Sequence, residues 1–239
     1  MKTKLAILLT LVVLGAAPLH AEPLWQRLLR ISGISATPSQ QRAPEELEAG
    51  GELWIAILES RELRKLPVEN GFRSPVFTAG GEAVLAVKNG ALWQIAVRGE
   101  ARPRQLHTAP GVQKLIGFDR DDGDQLLVLL ERENQPTVAL LALRSGKLTI
   151  LPYNPDARDD RKALSHLKGW ERTYGDTRLY LRPQTRRTLT GELEWNDVFL
   201  KRGDEAPVNV SRSDGVQCGQ PSLSPDGKGV VFVKAAAGH

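Results

Sequence analysis

The chain has 239 residues, of which 41% are apolar and 25% are charged. A chain of this length can bury enough surface to form one packed core. Its formal net charge is +4, and because Lys2 and Lys4 precede the folded part, the remainder is nearly neutral. This balance argues against a nucleic-acid-binding protein, in which basic residues cluster on one face with aromatic residues between them.

Residues 1–21 predict a secretory signal peptide. Lys2 and Lys4 precede an apolar run from Leu5 to Ala17, and small residues lead to a cleavage site after Ala21. The apolar run is shorter than the about 20 residues that a membrane-spanning helix needs. We therefore expect a periplasmic or secreted protein without a transmembrane segment after signal removal. A retained signal anchor is the alternative.

Residues 22–50 predict a short helix and a linker. Trp25, Leu28, Leu29 and Ile31 follow near-helical spacing up to Gly33. The stretch after this glycine is rich in Ser, Pro, Gln and Glu, which is typical of a linker or of a segment that lies over a folded body.

Residues 51–239 predict an all-β domain, because short apolar runs alternate with Gly, Pro and Asp turns. Two kinds of hairpin repeat along it, each in four copies. The first kind begins with "GELWIAI", "GALWQIAV", "TVALLAL" and "DVFL", and a second short strand follows each. The second kind occupies 74–87, 114–130, 167–181 and 220–233, with glycine in each turn. Each complete pair of hairpins makes one four-stranded blade.

The order of the hairpins predicts how the chain closes. A hairpin of the second kind is missing before Glu52, and one of the first kind is missing after Lys234. If 220–234 and 52–66 share one sheet, the chain ends meet and two sheet edges disappear. We therefore predict a small β-propeller of four blades, with the last blade shared between N- and C-terminal strands. An open arc completed by a second chain, and a fifth sheet using 34–50, are the alternatives.

The stretch "QPSLSPDGKGVVFV" at 220–233 resembles the repeat of TolB-type β-propellers, in which Pro, an apolar residue and Ser-Pro-Asp-Gly-Lys precede an apolar strand. "ALWQIAV" followed by "PRQL" resembles the outer strands of that family. The resemblance covers 51–234, and "Gly80-Gly81" departs from its turn. It implies a periplasmic binding or scaffolding module that works through contacts with other envelope proteins.

No catalytic or metal-binding pattern accompanies these repeats. "DRDDGD" at 119–124 fails as a calcium loop, because the positions that need oxygen ligands hold Gly123 and Leu130. No G-x-S-x-G nucleophile elbow occurs, and His107, His166 and His239 have no metal-ligand spacing. Cys218 has no partner for an internal disulfide and is interpreted as a small buried residue. We expect no catalytic residue, no metal and no cofactor.

Recognition is expected on long loops of a rigid scaffold. The candidate partner-binding residues are Tyr153, Arg158 and Arg161 in an insertion at 152–165, and Trp195 at the end of a second insertion at 182–195, where it is expected to precede a strand. The cluster Arg182, Arg186 and Arg187 is interpreted as a solvated hairpin tip.

The sequence thus predicts an exported, non-enzymatic module, monomeric or homodimeric, with a protein partner in the envelope and no nucleic acid. The alternative is a propeller that binds or hydrolyses a sugar or peptide through loop carboxylates near the central channel, with Asp121 and Asp176 as the residues to test.

Overall fold

The structure, a computed structural model, describes residues 49–99, 102–109, 111–118, 123–132, 135–151, 173–189 and 191–235. Within these ranges every regular element is a β-strand, and the 16 strands form four antiparallel four-stranded sheets. The all-β prediction is therefore confirmed. The predicted signal peptide, short helix and most of the linker, up to residue 48, lie outside the described residues.

The first sheet contains β3 (Arg73–Phe77), β4 (Ala83–Lys88), β5 (Ala91–Ala96) and β6 (Arg104–Thr108). The second sheet contains β7 (Val112–Phe118), β8 (Gln125–Arg132), β9 (Gln135–Ala142) and β10 (Leu148–Ile150). The third sheet contains β11 (Thr173–Tyr174), β12 (Thr177–Thr188), β13 (Gly191–Arg202) and β14 (Val208–Asn209). The shared sheet has the order β15 (Cys218–Leu223), β16 (Gly229–Lys234), β1 (Glu52–Ile57) and β2 (Glu62–Lys65).

The shared sheet joins the two ends of the folded domain. Strand β1 pairs with β16 from Glu52 opposite Lys234 to Ile57 opposite Gly229, without a register shift. Ile55 and Val231 lie opposite each other in this pair, and both are almost completely buried. The prediction that 52–66 and 220–234 share a sheet is confirmed. Burying side chains of this size stabilises the fold by about 1.5–3 kcal/mol each.

Three apolar cores place the sheets in the order third, shared, first, second. The core between the third and shared sheets includes Val198, Leu200 and Phe232. The shared and first sheets bury Ile55 and Val84 together, and the first and second sheets form a further core. Strand alternation explains this arrangement, because each central strand sends successive side chains to opposite faces.

The turns of the second hairpin kind repeat the same order. A Cβ placed on each turn glycine would meet a residue of the preceding sheet in this series: Gly227 meets Tyr174 at 2.8 Å, Gly81 meets Pro225 at 3.8 Å, and Gly123 meets Ala79 at 3.2 Å. Among described residues, nothing lies within 4 Å of the same point on Gly175. Each of these three contacts joins two neighbouring sheets in the order third, shared, first, second. Among the described residues, no contact of this kind joins the second sheet to the third.

The prediction of a loop at 182–195 is wrong, because strands occupy most of this stretch. Arg182 to Thr188 belong to β12 and Gly191 to Trp195 belong to β13, so the stretch is a long hairpin that extends beyond β11 and β14. Its register runs without interruption from Thr177 opposite Arg202 to Thr188 opposite Gly191. The ladder of backbone hydrogen bonds forms here without the apolar alternation by which strands are recognised in a sequence.

Candidate functional site

Of the four sequence-predicted site residues, Trp195 lies in the described part of the chain. Tyr153, Arg158 and Arg161 lie outside the described residues. Trp195 lies within β13, and not before a strand as predicted. Its side chain is 8% exposed, its indole N–H donates to Asp197 Oδ2 at 3.2 Å, and the Arg186 guanidinium lies 5.8 Å from its ring centroid. The structure thus covers this indole, while its role in partner binding stays a prediction.

The arginine cluster lies along β12 toward the hairpin tip and is exposed, as predicted. Arg186 pairs with Asp214 at 2.7 Å, and Arg187 pairs with Glu192 at 3.6 Å. Next to them, Leu189 is fully exposed in the turn. Exposed pairs of this kind contribute at most about 1 kcal/mol each to stability, which fits a solvated surface.

Cys218 is completely buried at the start of β15, which confirms its interpretation as a small core residue. Burial raises the pKa of the Cys218 thiol to about 11. The nucleophilic thiolate is therefore almost absent at neutral pH.

A buried carboxylate organises the junction between the third and shared sheets. Asp197 is 3% exposed and accepts hydrogen bonds from Ser211 Oγ at 2.6 Å and Ser213 Oγ at 2.5 Å. The Ser213 backbone N–H donates to it at 3.1 Å and the Asn209 side-chain amide at 2.9 Å. Burial raises the pKa of Asp197, but these donors together outweigh burial and hold that pKa below its ordinary value. The carboxylate is therefore ionised and fully bonded.

This cluster is closed to substrates. Both serine hydroxyls donate to an acceptor-only carboxylate that is itself out of reach of solvent. Lys234 lies in the same region and is 8% exposed, with its Nζ 4.1 Å from the centroid of the Trp54 ring. Burial lowers the pKa of Lys234. Because Asp197 and Lys234 are both almost completely enclosed, the geometry indicates a structural role.

The Asp197 cluster positions Arg212. Asn209 Nδ2 binds the buried carboxylate, and Asn209 Oδ1 accepts from the Arg212 backbone N–H at 2.9 Å. Arg212 has a φ of 42°, in the left-handed region that L-residues rarely adopt. Its guanidinium donates to the Arg61 carbonyl at 2.7 Å, across to the shared sheet. The sequence signal for this arrangement is the run of turn-forming polar residues "NVSRSD" at 209–214, whose composition is that of an ordinary turn.

Arg212 stands at a cleft of about 520 Å³ between the outer strands of the third and shared sheets. The cleft has an apolar floor, formed by Ala56, Ile57, Leu58, Leu200, Val208 and Val210. Val208 lies in the edge strand β14, and its apolar side chain is 56% exposed. Charged side chains surround this floor: Arg61, Glu62, Arg202, Glu205 and Arg212. We call this feature the arginine cleft.

Two of the three arginines of the cleft contact backbone carbonyls through their guanidinium groups. Besides the Arg212 bond, Arg202 Nη2 approaches the Gly227 carbonyl at 3.4 Å. No carboxylate of the described residues forms an ion pair with Arg61, Arg202 or Arg212. Carbonyl bonds orient a guanidinium but do not neutralise it, so donors remain for a carboxylate.

An equivalent cleft of about 430 Å³ lies between the first and second sheets. There, His107 Nε2 forms a hydrogen bond with the Leu143 carbonyl, which ties β6 to the turn after β9. Arg104 donates to Gln94 Oε1 at 2.8 Å, and Arg144 approaches Asp124 at 3.9 Å. A side chain bound to a backbone carbonyl thus crosses each cleft, His107 here and Arg212 in the arginine cleft. The arginine cleft differs in having the exposed Val208 in its apolar floor.

Of the two carboxylates considered for the alternative function, Asp176 belongs to the described residues. Asp121 lies outside the described residues, and Asp176 lies in the turn between β11 and β12, where its backbone carbonyl accepts from the Gly203 N–H at 3.2 Å. In the described ranges no three His, Cys, Asp or Glu side chains are grouped as metal ligands. The same residues contain no helix long and apolar enough to cross a membrane.

Comparisons with known proteins give structural neighbours only. Neither family models nor curated protein sequences match the chain. A TolB from Agrobacterium tumefaciens is similar at 18% identity and a TM-score of 0.35, covering 77% of this chain and 61% of its own. TolB from Acinetobacter baumannii has 12% identity and a TM-score of 0.35, covering 89% and 51%. The tricorn protease has 15% identity and a TM-score of 0.34, covering 80% and 18%.

This chain therefore spans less than two thirds of the length of each of these three proteins. The neighbours include two TolB proteins and a protease, at low identity, and do not select one activity.

Proposed function

We propose that this chain is an exported, non-enzymatic, four-bladed β-propeller that binds another protein of the cell envelope, in the periplasm or outside the cell. The repeat of one blade type in four sheets and the shared sheet support a ring. Further support comes from the two sheets at the ends of the series. The second sheet carries the buried cluster Ile116, Leu127 and Val138 on its other face, and Phe199 stacks on Tyr180 in the third sheet.

The arginine cleft is the observation that carries the binding function. It exposes the apolar side chain of Val208 next to the buried Leu200 and Val210, and charged side chains surround them. Exposed apolar surface with a polar rim is typical of a protein interaction site. A rigid two-sheet junction also holds such a surface in one shape, which lowers the entropy cost of binding.

The buried chemistry supports the absence of catalysis. The buried polar groups that could serve as nucleophile or base include the Cys218 thiol, the serines bound to Asp197 and the Lys234 amine. Each is almost completely enclosed in the described chain. A catalytic group must reach the proton or atom on which it acts.

The experiment is site-specific photo-crosslinking in the producing cells. We would place a benzoylphenylalanine at Val208 in the arginine cleft, at Leu189 on the hairpin tip and at Ile150 on the outer strand of the second sheet. We expect a discrete protein adduct from Val208 and none from Ile150, which is 41% exposed and serves as the matched control.

The identified partner is then purified and its affinity for the wild-type chain is measured. Absence of a specific adduct from both Val208 and Leu189, or an adduct protein that shows no affinity after purification, would contradict the proposed function.

A further inference from the structure

We propose that the arginine cleft binds an acidic segment of the partner, in which an apolar side chain is flanked by carboxylates. This inference rests on the proposed function and adds the chemistry of the partner. The occupant is a protein segment because the floor can bury apolar side chains while the rim offers charge on both walls.

The charge of the rim selects carboxylates. Arg61 comes from the turn between β1 and β2, and Arg202 and Arg212 come from the third sheet, so positive charge stands on both sides of the floor. No described carboxylate pairs with any of the three. Guanidinium groups bind carboxylates with two parallel hydrogen bonds, which an incoming Asp or Glu can supply.

The acidic side chains of the rim do not cancel this preference. Glu62 already approaches Arg64 at 3.5 Å, and this leaves Glu205 as the rim carboxylate without an ion pair among the described residues. The rim therefore offers three arginines against one such glutamate. A basic segment would meet more repulsion than attraction here.

The floor selects the apolar part of the occupant. Val208 is 56% exposed, whereas Leu200, which lies opposite it in the pairing of β13 with β14, and Val210 are buried. An apolar side chain that covers Val208 would remove its surface from water, at about 25 cal/mol for each Å² of apolar area. Carboxylates on either side of that side chain would then lie at the height of the rim.

Hydrogen bonds also hold Arg212, on one wall of the cleft, in place before a partner arrives. The Asp197 cluster fixes Asn209, Asn209 fixes the Arg212 backbone, and the Arg212 guanidinium is oriented by the Arg61 carbonyl. The Arg212 side chain therefore has less freedom to lose when a carboxylate binds it, which favours a specific contact over a diffuse one.

The test uses the Val208 crosslinker in charge-reversed chains. Arg202→Glu and Arg212→Glu each reverse one charge of the rim, and Arg144→Glu in the equivalent cleft is the control because its side chain is 91% exposed. We expect the adduct and the measured affinity to fall about tenfold or more in the first two variants and to stay unchanged in the control. Thermal melting of each purified variant shows that it is folded, and Arg202→Glu keeps the test valid should Arg212→Glu not fold.

Mass spectrometry of the adduct then maps the crosslinked segment of the partner. We expect a segment with a net negative charge and an apolar residue at the crosslink. A basic or uncharged segment, or an adduct that persists in both reversed variants, would overturn the inference while the proposed function stands. An adduct from Leu189 without one from Val208 would also overturn it and would move the interface to the hairpin tip.

Discussion

Ile55 and Val231 lie opposite each other in the shared sheet although they come from the two ends of the folded domain. Their side chains belong to the same apolar core, between the shared and first sheets. The pairing of β1 with β16 is therefore part of the buried structure, and a covalent link between these two positions can report it directly.

We expect Ile55→Cys with Val231→Cys, in a Cys218→Ser background, to form a disulfide within the monomer. Directly opposite residues of antiparallel strands have Cα atoms about 4.5–5.5 Å apart, within the range that a disulfide spans. Non-reducing electrophoresis after mild oxidation is the measurement. Ile55→Cys with Val233→Cys is the control, because Val233 lies opposite Leu53 and is displaced by two residues. Crosslinked dimers in place of the monomeric product would show that the sheet forms between chains.

Asp197→Asn is expected to destabilise the protein by about 2–4 kcal/mol at pH 7, because the amide nitrogen faces donors and leaves them unbonded. Urea denaturation measures the change in the free energy of unfolding. Asp204→Asn, at an exposed position in the turn before β14, is the control and should have little effect. A loss no larger than that of the control would refute the role of the buried carboxylate.

The same variant should alter the pH dependence of stability. The pKa of Asp197 is held below its ordinary value in the folded protein. A depressed pKa stabilises the fold above the unfolded value of about 3.9 and loses its effect as the pH falls through the folded value. We therefore expect the difference between wild type and Asp197→Asn to shrink below about pH 4. A constant difference from pH 7 to pH 3 would rule out this linkage.

Cys218 should not react with a maleimide or a disulfide reagent at pH 8 until the protein unfolds. Its thiol is completely buried, and its pKa is raised to about 11. Labelling in native buffer and in urea, followed by mass spectrometry, measures this difference. Ser60→Cys in a Cys218→Ser background is the exposed control and should react at once. Rapid labelling of Cys218 in the native protein would contradict its burial.

Gly227→Ala should cost more stability than Gly81→Ala. Both glycines have positive φ, 70° and 76°, so an alanine is strained by about 1–2 kcal/mol at either position. At Gly227 the added methyl group would also lie 2.8 Å from Tyr174 Cδ1, whereas at Gly81 the nearest atom is 3.8 Å away. Urea denaturation compares the two variants. In a double-mutant cycle, Tyr174→Ala should remove the excess cost at Gly227, and an unchanged excess would show that the contact is not its cause.

The repeats allowed much of the fold to be predicted. Glycine and proline mark the turns, and apolar alternation marks the strands, so both hairpin kinds were recognised and β1 could be assigned to β16. The long hairpin of β12 and β13 was missed, because Arg182 to Thr188 is polar on both faces and gives no alternation. In this part of the hairpin the strands are held together by backbone hydrogen bonds, and the side-chain pattern gives no sign of a strand.

The candidate site was harder to predict than the fold. The Asp197 cluster joins a central strand to a loop that follows β14, and such contacts depend on how the strands are arranged in three dimensions. Arg212 acts through its backbone conformation and its place beside the cleft, and neither property can be read from its neighbours in the sequence. The burial of Cys218 could be predicted, because a single cysteine has no partner for an internal disulfide and a free cysteine is usually a small core residue.

The shared sheet also fixes when the fold can be completed. A ribosome makes β1 near the beginning of the folded domain and β16 at its end, so the apolar face of the first hairpin waits for a partner until almost the whole domain has been made. Contacts between such distant segments require closing a long loop, which slows folding. A chain truncated before Gly229 lacks β16, so one edge of β1 has no strand to pair with. The last strand to be synthesised therefore completes the backbone pairing of the first.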